Sequence, residues 1–346
     1  MRYINKTDKD KTCKIHMKKA GPGRRRTALL TVLLAVASVF SGCGNLKYEM
    51  NYQSAAKVSS FNVTVGQTND SARPFASELC VVTGDIMDSE TVDISKAKAA
   101  VLFDLNDKEV LYAQNPHDRL YPASITKVMT ALVALKNGSP DQMLTATNAV
   151  KITESGAQLC GLKAGDTMTL NQALHVMLMY SANDAANLIA ENIGGSVEHF
   201  VEMMNEEAKS LGATNTNFAN AHGLTDENHY TTCYDLYLIF NEAIKYETFN
   251  EIIQTTSYQT TYYDGNGKAK EVSYTSTNRF IKGDVQAPSN INVIGGKTGT
   301  TSAAGHCLIL MSRDTGGAPY ISVILGADTN DDLYEQMTDL LDEINK

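Results

Sequence analysis

A serine hydroxyl becomes a nucleophile when a base lies within hydrogen-bond reach, and a neutral lysine amine can be that base. Ser-x-x-Lys occurs three times in this chain, at Ser54/Lys57, Ser95/Lys98 and Ser124/Lys127. Only Ser124 opens an apolar-patterned stretch, directly behind Pro122-Ala123, where the pattern predicts a helix from about Ser124 to Lys136. Residues three apart on a helix share a face, which brings Lys127 to the Ser124 hydroxyl. A helix N-terminus also favours negative charge, as on an alkoxide or oxyanion. Serine is equally at home there as a helix cap, so the local sequence supports nucleophile and cap alike. To act as base, Lys127 must lose its proton far below the free value of about 10.4, which burial and a second cation would achieve. Lys297 is the candidate second cation.

Ser-x-Asn also occurs three times, at Ser60/Asn62, Ser181/Asn183 and Ser276/Asn278. Ser181 falls at a predicted break between helices, where it could relay a proton to a leaving amine, with Asn183 holding a substrate amide or Lys127. Lys-Thr-Gly occurs once, at Lys297-Thr298-Gly299. It sits in Gly295-Gly296-Lys297-Thr298-Gly299-Thr300-Thr301, a strand with small residues where another backbone must approach closely. An extended peptide could pair along it by strand addition, or it is a plain glycine-rich edge strand.

These residues need a frame. Strands are predicted at residues 99–104 and 109–113, around the turn residues Asn106-Asp107. Helices are predicted at 170–179, 184–193, 196–211 and 230–246. Strands follow at 258–263 and 270–277, flanking Asp264-Gly265-Asn266-Gly267, and at 293–301, 306–313 and 320–327. Leu333, Met337, Leu340, Leu341 and Ile344 form one apolar stripe of a final helix, explained by core packing. Strands, then helices, then strands and a helix imply an α+β fold. Its antiparallel sheet is built from both chain ends, with a helical cluster between.

The first 42 residues differ in kind. They carry ten Lys/Arg and two Asp/Glu, against 20 and 37 in the rest, whose net charge is −17. That excess of acid argues against nucleic acid as a partner. The apolar run Ala28–Phe40 follows Arg24-Arg25-Arg26, the layout of a secretory signal, and is too short to span a bilayer. Met17, ahead of Lys18 and Lys19, reads as the translation start. The run ends in Phe40-Ser41-Gly42-Cys43, which resembles the lipobox of bacterial lipoproteins, with Phe40 where Leu is usual. Cys43 is thus the expected lipidation site, anchoring the chain to the outer face of the cytoplasmic membrane; the alternative is an ordinary signal peptide with an incidental Cys43. The expected organisation is a lipoprotein signal peptide at 1–42, a polar tether and lead-in at 43–95, and a catalytic domain at 96–346. Cys80, Cys160, Cys233 and Cys307 show no metal-ligand spacing. They read as isolated thiols, or as thiols with one disulfide among them.

Taken together and in order, Ser124/Lys127, Ser181/Asn183 and Lys297-Thr298-Gly299 resemble the signature of the penicillin-recognising serine enzymes. The stretches 120–131 (LYPASITKVMTA), 181–186 (SANDAA) and 220–224 (NAHGL) are similar to the D-alanyl-D-alanine carboxypeptidases, the low-molecular-mass penicillin-binding proteins. The resemblance covers roughly residues 97–330. It implies a β-lactamase/transpeptidase-like fold, peptidoglycan pentapeptide stems as substrate, β-lactam antibiotics as inhibitors, and no cofactor or metal. It also implies roles. Ser124 attacks the carbonyl between two terminal D-alanines and Lys127 takes its proton. Ser181 and Asn183 form the second wall. Lys297, Thr298, Gly299 and Thr300 line the carboxylate side, and the N–H groups of Ser124 and Thr300 form an oxyanion hole. Many members carry a small all-β domain and a membrane-binding helix after this domain. Here none is expected, and lipid at Cys43 would anchor from the other end.

Three rival readings share some of these features. A class A β-lactamase would carry Glu-x-x-Leu-Asn after the second motif. None occurs between Asn183 and Lys297, and Glu202-Met203-Met204-Asn205 has the wrong spacing. A zinc D,D-peptidase could use His222, His229 and His306, but no His-Glu-x-x-His is present. His222 is expected instead to support a turn or the site wall. A catalytically silent wall-binding homologue would not need every catalytic side chain that this chain retains.

Overall fold

The computed structural model describes residues 76–89 and 91–346. The predicted signal peptide, Cys43, and the pairs Ser54/Lys57 and Ser60/Asn62 lie outside the described residues.

A five-stranded antiparallel sheet forms the centre. It takes β1 (Ala99–Asp104) and β2 (Glu109–Gln114) from the early chain and β7 (Asn292–Thr301), β8 (Gly305–Arg313) and β9 (Pro319–Ala327) from the late chain. The order is β2-β1-β9-β8-β7, so the first strand pairs with the last and β7 is an edge. All six residues of β1 are buried, because both faces of the sheet are covered. Ala99, Val101 and Phe103 point to the helical cluster with Ile309, Val323 and Leu325. Ala100 and Leu102 point the other way with Leu308, Leu310 and Ile324. That second face is closed by α8 (Asn330–Asp342), whose Leu333, Met337, Leu340 and Leu341 are buried. Burying each such side chain stabilises the fold by about 1.5–3 kcal/mol.

The helical cluster comprises α1 (Lys127–Asn137), α2 (Leu170–Met179), α3 (Asn183–Gly194), α4 (Val197–Ser210), α5 (Cys233–Ala243) and α6 (Glu247–Ile253). Thr169 and Gln172 form a capping box at the start of α2. Gly195, at φ +78°, ends α3 in the left-handed conformation. The helix predicted over 230–246 is shorter, running only over α5, and α6 follows beyond that span. Tyr230 and Thr231 are extended, pairing with Asn217 and Leu120, and Thr232 caps α5 by accepting the Asp235 N–H. Threonine at the boundary favours that cap over another helical turn.

A second antiparallel sheet has four strands, of which the sequence pattern predicts only the hairpin. The hairpin β5 (Ser257–Tyr263) and β6 (Ala269–Thr275) continues into β3 (Met143–Thr145) and β4 (Thr167–Thr169), in the order β3-β4-β5-β6. A short helix, α7 (Arg279–Lys282), leads into β7. The stretch around Cys80 lies irregularly against the main sheet. Cys80 is buried and gives its N–H to the Tyr237 hydroxyl at 2.9 Å, and Ile86 pairs with Ala113. Cys80, Cys160, Cys233 and Cys307 are all free thiols.

Candidate active site

Ser124 does not begin an α-helix. Residues Ala123–Thr126 make one tight 3₁₀ turn, and α1 starts at Lys127. In such a turn, side chains three apart stand directly above one another. Ser124 Oγ accordingly meets Lys127 Nζ at 2.8 Å, rather than a backbone N–H as a cap would. Ala123 enters the turn at φ +47°, a conformation that costs a non-glycine residue about 1–3 kcal/mol and persists only where its surroundings enforce it.

Lys127 is wholly buried and its amine has three neighbours. Besides Ser124 it reaches Asn183 Oδ1 at 2.7 Å and the His222 carbonyl at 2.6 Å. The two carbonyl-type oxygens can only accept, so they take two N–H bonds. The remaining position faces the one neighbour that can donate, the Ser124 hydroxyl. A neutral amine therefore presents its lone pair to the serine proton. Burial drives the Lys127 pKa well below the ordinary lysine value, and Lys297 pushes it further down, while Asp184 opposes both.

Ser181 stands at φ +67° in the break between α2 and α3, and Asn183 starts α3. Asp184 follows, buried, and its carboxylate gathers a whole loop. Oδ1 accepts the Cys160 N–H at 3.0 Å, and Oδ2 accepts those of Gly161 at 2.8 Å and Leu162 at 3.0 Å. Asn183 N–H donates to the Gln158 carbonyl. The loop's Gly156, Ala157 and Gln158 thus form one wall of a cavity of about 350 Å³. Ser124, Ser181, Asn183, Thr298, Gly299 and Thr300 line the same cavity.

Lys297 points inward from the edge strand β7. Its amine donates to Ser181 Oγ at 3.0 Å and to the Thr298 carbonyl at 2.8 Å, and burial lowers its pKa to about 7. Gly299 is where β7 crosses the Ala123–Thr126 turn. A Cβ there would lie 2.9 Å from both Pro122 O and Ser124 N. Only glycine lets the strand come this close to the Ser124 amide. Gly223 plays the same part on the other side, where a Cβ would fall 1.9 Å from Ala123 O.

The structure thus brings together Ser124, Lys127, Ser181, Asn183, Lys297, Thr298, Gly299 and Thr300. The other described pairs stay outside. Ser95 and Lys98 are exposed, and Asn278 caps α7. Glu202 is 73% exposed beside His199 on α4. His222 contributes its carbonyl to Lys127, and its ring accepts the Leu224 N–H at 3.2 Å. Sequence reasoning missed Thr277, whose hydroxyl lies 2.6 Å from that of Thr298, and Asn330; both line the cavity. Thr277 lies inside the Ser276/Asn278 pair, and no spacing rule links it to residue 298.

This geometry has counterparts among known proteins. The profile of the D-alanyl-D-alanine carboxypeptidase family matches residues 87–329. D-alanyl-D-alanine carboxypeptidase DacF of Bacillus subtilis is 37% identical over 256 residues, covering 71% of this chain and 61% of that protein. DacC of Escherichia coli is 31% identical over 255 residues, covering 71% and 60%. The chain therefore spans about three fifths of the length of these curated relatives. The crystal structure of the Streptomyces K15 DD-transpeptidase superposes with a TM-score of 0.66 at 26% identity, covering 76% of this chain and 98% of that one. With a profile match across most of the chain, and both sheets and the Ser124–Lys127 pair inside the matched span, the chain belongs to the D-alanyl-D-alanine carboxypeptidase family.

Proposed function

We propose that the protein is a serine D,D-carboxypeptidase that removes the terminal D-alanine from peptidoglycan stem peptides. The observation that carries this reading is the buried Lys127 amine, hydrogen-bonded to the Ser124 hydroxyl and to two carbonyl oxygens that can only accept, so that in its neutral form the lone pair faces Ser124. Ser124 Oγ attacks the penultimate D-alanine carbonyl as its proton passes to Lys127 Nζ. The Ser124 and Thr300 N–H groups stabilise the oxyanion; one such donor is typically worth about 10²–10³ in rate. Ser181, hydrogen-bonded to Lys297, gives its hydroxyl proton to the departing amine and regains one from protonated Lys127, which is then neutral again. Lys297 and the Thr298 and Thr300 hydroxyls hold the terminal carboxylate, on the strand that Gly299 keeps open. Water then hydrolyses the acyl-enzyme. A β-lactam carbonyl enters the same path and acylates Ser124.

The test is release of D-alanine from a stem pentapeptide ending in D-Ala-D-Ala. One equivalent is released by the parent and none by Ser124→Ala. Equal release by both would overturn the assignment.

The basic and apolar leader and Cys43 support a secreted, lipid-anchored protein on the outer face of the membrane, with the catalytic domain reaching stems in the wall. Radiolabelled palmitate incorporated by the parent and lost in Cys43→Ser supports the anchor, and equal labelling contradicts it.

A further inference from the structure

His229 is an almost fully buried histidine with no part in the chemistry above; it is 1% exposed. Its ring is bonded on both sides. The Ala219 N–H donates to Nδ1 at 3.0 Å, so Nδ1 carries no proton. The proton must then sit on Nε2, which lies 2.7 Å from Thr126 Oγ1. With that oxygen accepting from the ring, the Thr126 hydroxyl donates to the Ala123 carbonyl at 2.8 Å. The chain Ala219 N–H → His229 → Thr126 → Ala123 ends on the residue held at φ +47° beside the nucleophile.

The other end of that chain also matters. Ala219 precedes the turn Asn220–Leu224, in which Asn220 Oδ1 accepts the Gly223 N–H at 2.7 Å and the His222 carbonyl holds Lys127. His229 therefore ties the strained nucleophile turn to the turn that orients the base. An edge-on Phe218 ring, 5.7 Å away, packs against it. The charged groups whose fields reach the ring are Asp226 and Lys127.

We propose that His229 is a positioning residue for the nucleophile, acting through Thr126 as a neutral donor and acceptor that keeps the Ala123–Ser124 turn in register with Lys127. The inference rests on the reading of Ser124 as nucleophile. Nothing in this role needs an imidazole. A glutamine amide presents an acceptor oxygen and a donor N–H at nearly the spacing of the two ring nitrogens, and so can serve both bonds. Leucine can serve neither.

The experiment measures the rate constant and the final extent of acylation by a fluorescent penicillin for the parent, His229→Gln, His229→Leu and Thr126→Val. Expected is a rate within about threefold of the parent for His229→Gln, and a fall of tenfold or more for His229→Leu and Thr126→Val. A merely structural role would lower the final extent, as less protein folds, and leave the rate constant of the folded fraction unchanged. That pattern, or equal rates for His229→Gln and His229→Leu, would overturn the proposal. If His229→Leu does not fold, Thr126→Val carries the same comparison, because it removes only the hydroxyl link. Nitrogen NMR of the histidines gives a readout independent of activity. Expected is a neutral His229 with its proton on Nε2 from pH 8 to pH 5, burial having lowered its pKa to about 4. Titration near pH 6.5, or a proton on Nδ1, would overturn the proposal even in an inactive preparation.

Discussion

Gly299→Ala is the smallest change that separates the two halves of the proposed oxyanion hole. The new Cβ would lie 2.9 Å from Ser124 N and Pro122 O and 3.1 Å from Ala123 Cβ. Unstrained contacts of these kinds need about 3.5 Å, so strand β7 and the Ala123–Thr126 turn must part by roughly half an ångström. Donors in an oxyanion hole work at about 2.7–3.1 Å, and a half-ångström retreat takes one of them out of range. The expected loss is that of one donor, about 10²–10³ in acylation rate, or about 2.7–4 kcal/mol. The cost to the fold is smaller, about 1–3 kcal/mol for overpacking. That lowers Tm by roughly 2–10 °C for a domain of this size. The assay is the second-order rate of acylation by a fluorescent penicillin on protein shown to be folded by its melting curve. Gly267→Ala is the control: it lies at φ +76° with nothing within 4 Å of the added methyl, so it strains a hairpin turn and leaves the rate alone. A folded Gly299→Ala protein that is acylated within threefold of the parent would refute the reasoning.

Other changes probe other links. Lys297 is protonated below about pH 7 in the folded chain but up to about 10.4 when unfolded. The unfolded state thus binds more protons between those values, and stability rises with pH there, by at most about 1.4 kcal/mol per pH unit. Denaturant melts at pH 7 and 9 are expected to show that rise in the parent and a flatter profile in Lys297→Met; equal slopes would contradict it. Asp184→Asn sets an amide NH₂ against the Gly161 and Leu162 N–H groups, and bonds to a charged acceptor contribute about 1.5–3 kcal/mol each. It also removes the one charge that favours protonated Lys127, so the acid limb of the acylation profile is expected to move to lower pH. A limb that stays in place or moves up would contradict that sign. Leu340→Ala, on the far face of the sheet, is expected to cost about 2–5 kcal/mol in denaturant melts and leave acylation kinetics unchanged.

What could be read in advance follows the physics of each element. β1 and α8 were legible because buried strands and amphipathic helices write their periodicity into the residues, as Leu333, Met337, Leu340 and Leu341 do. The grouping of the candidate site's main parts was legible because Ser124 and Lys127 are neighbours in one turn, and because Lys-Thr-Gly occurs once. β3 and β4 were not, since three residues each carry no period. The start of α5 at Cys233 was missed because Tyr230 and Thr231 are extended only through pairing with Asn217 and Leu120, distant in sequence, and the Thr232 cap shows only in its bond to the Asp235 N–H. The 3₁₀ start at Ser124 was missed because the φ of +47° at Ala123 goes with contacts made only in the fold, the bare Gly223 backbone beside its carbonyl and the Thr126 hydroxyl bonded to it. Contacts such as Thr126 with His229, 103 positions apart, exist only once the chain has folded.

The most direct test of a nucleophilic Ser124 is intact-protein mass after brief exposure to benzylpenicillin, followed by peptide mapping. Expected is a single covalent adduct on the parent, on the peptide that contains Ser124, and none on Ser124→Ala. An adduct that persists in Ser124→Ala, or a folded parent that neither forms an adduct nor consumes penicillin, would contradict the central claim.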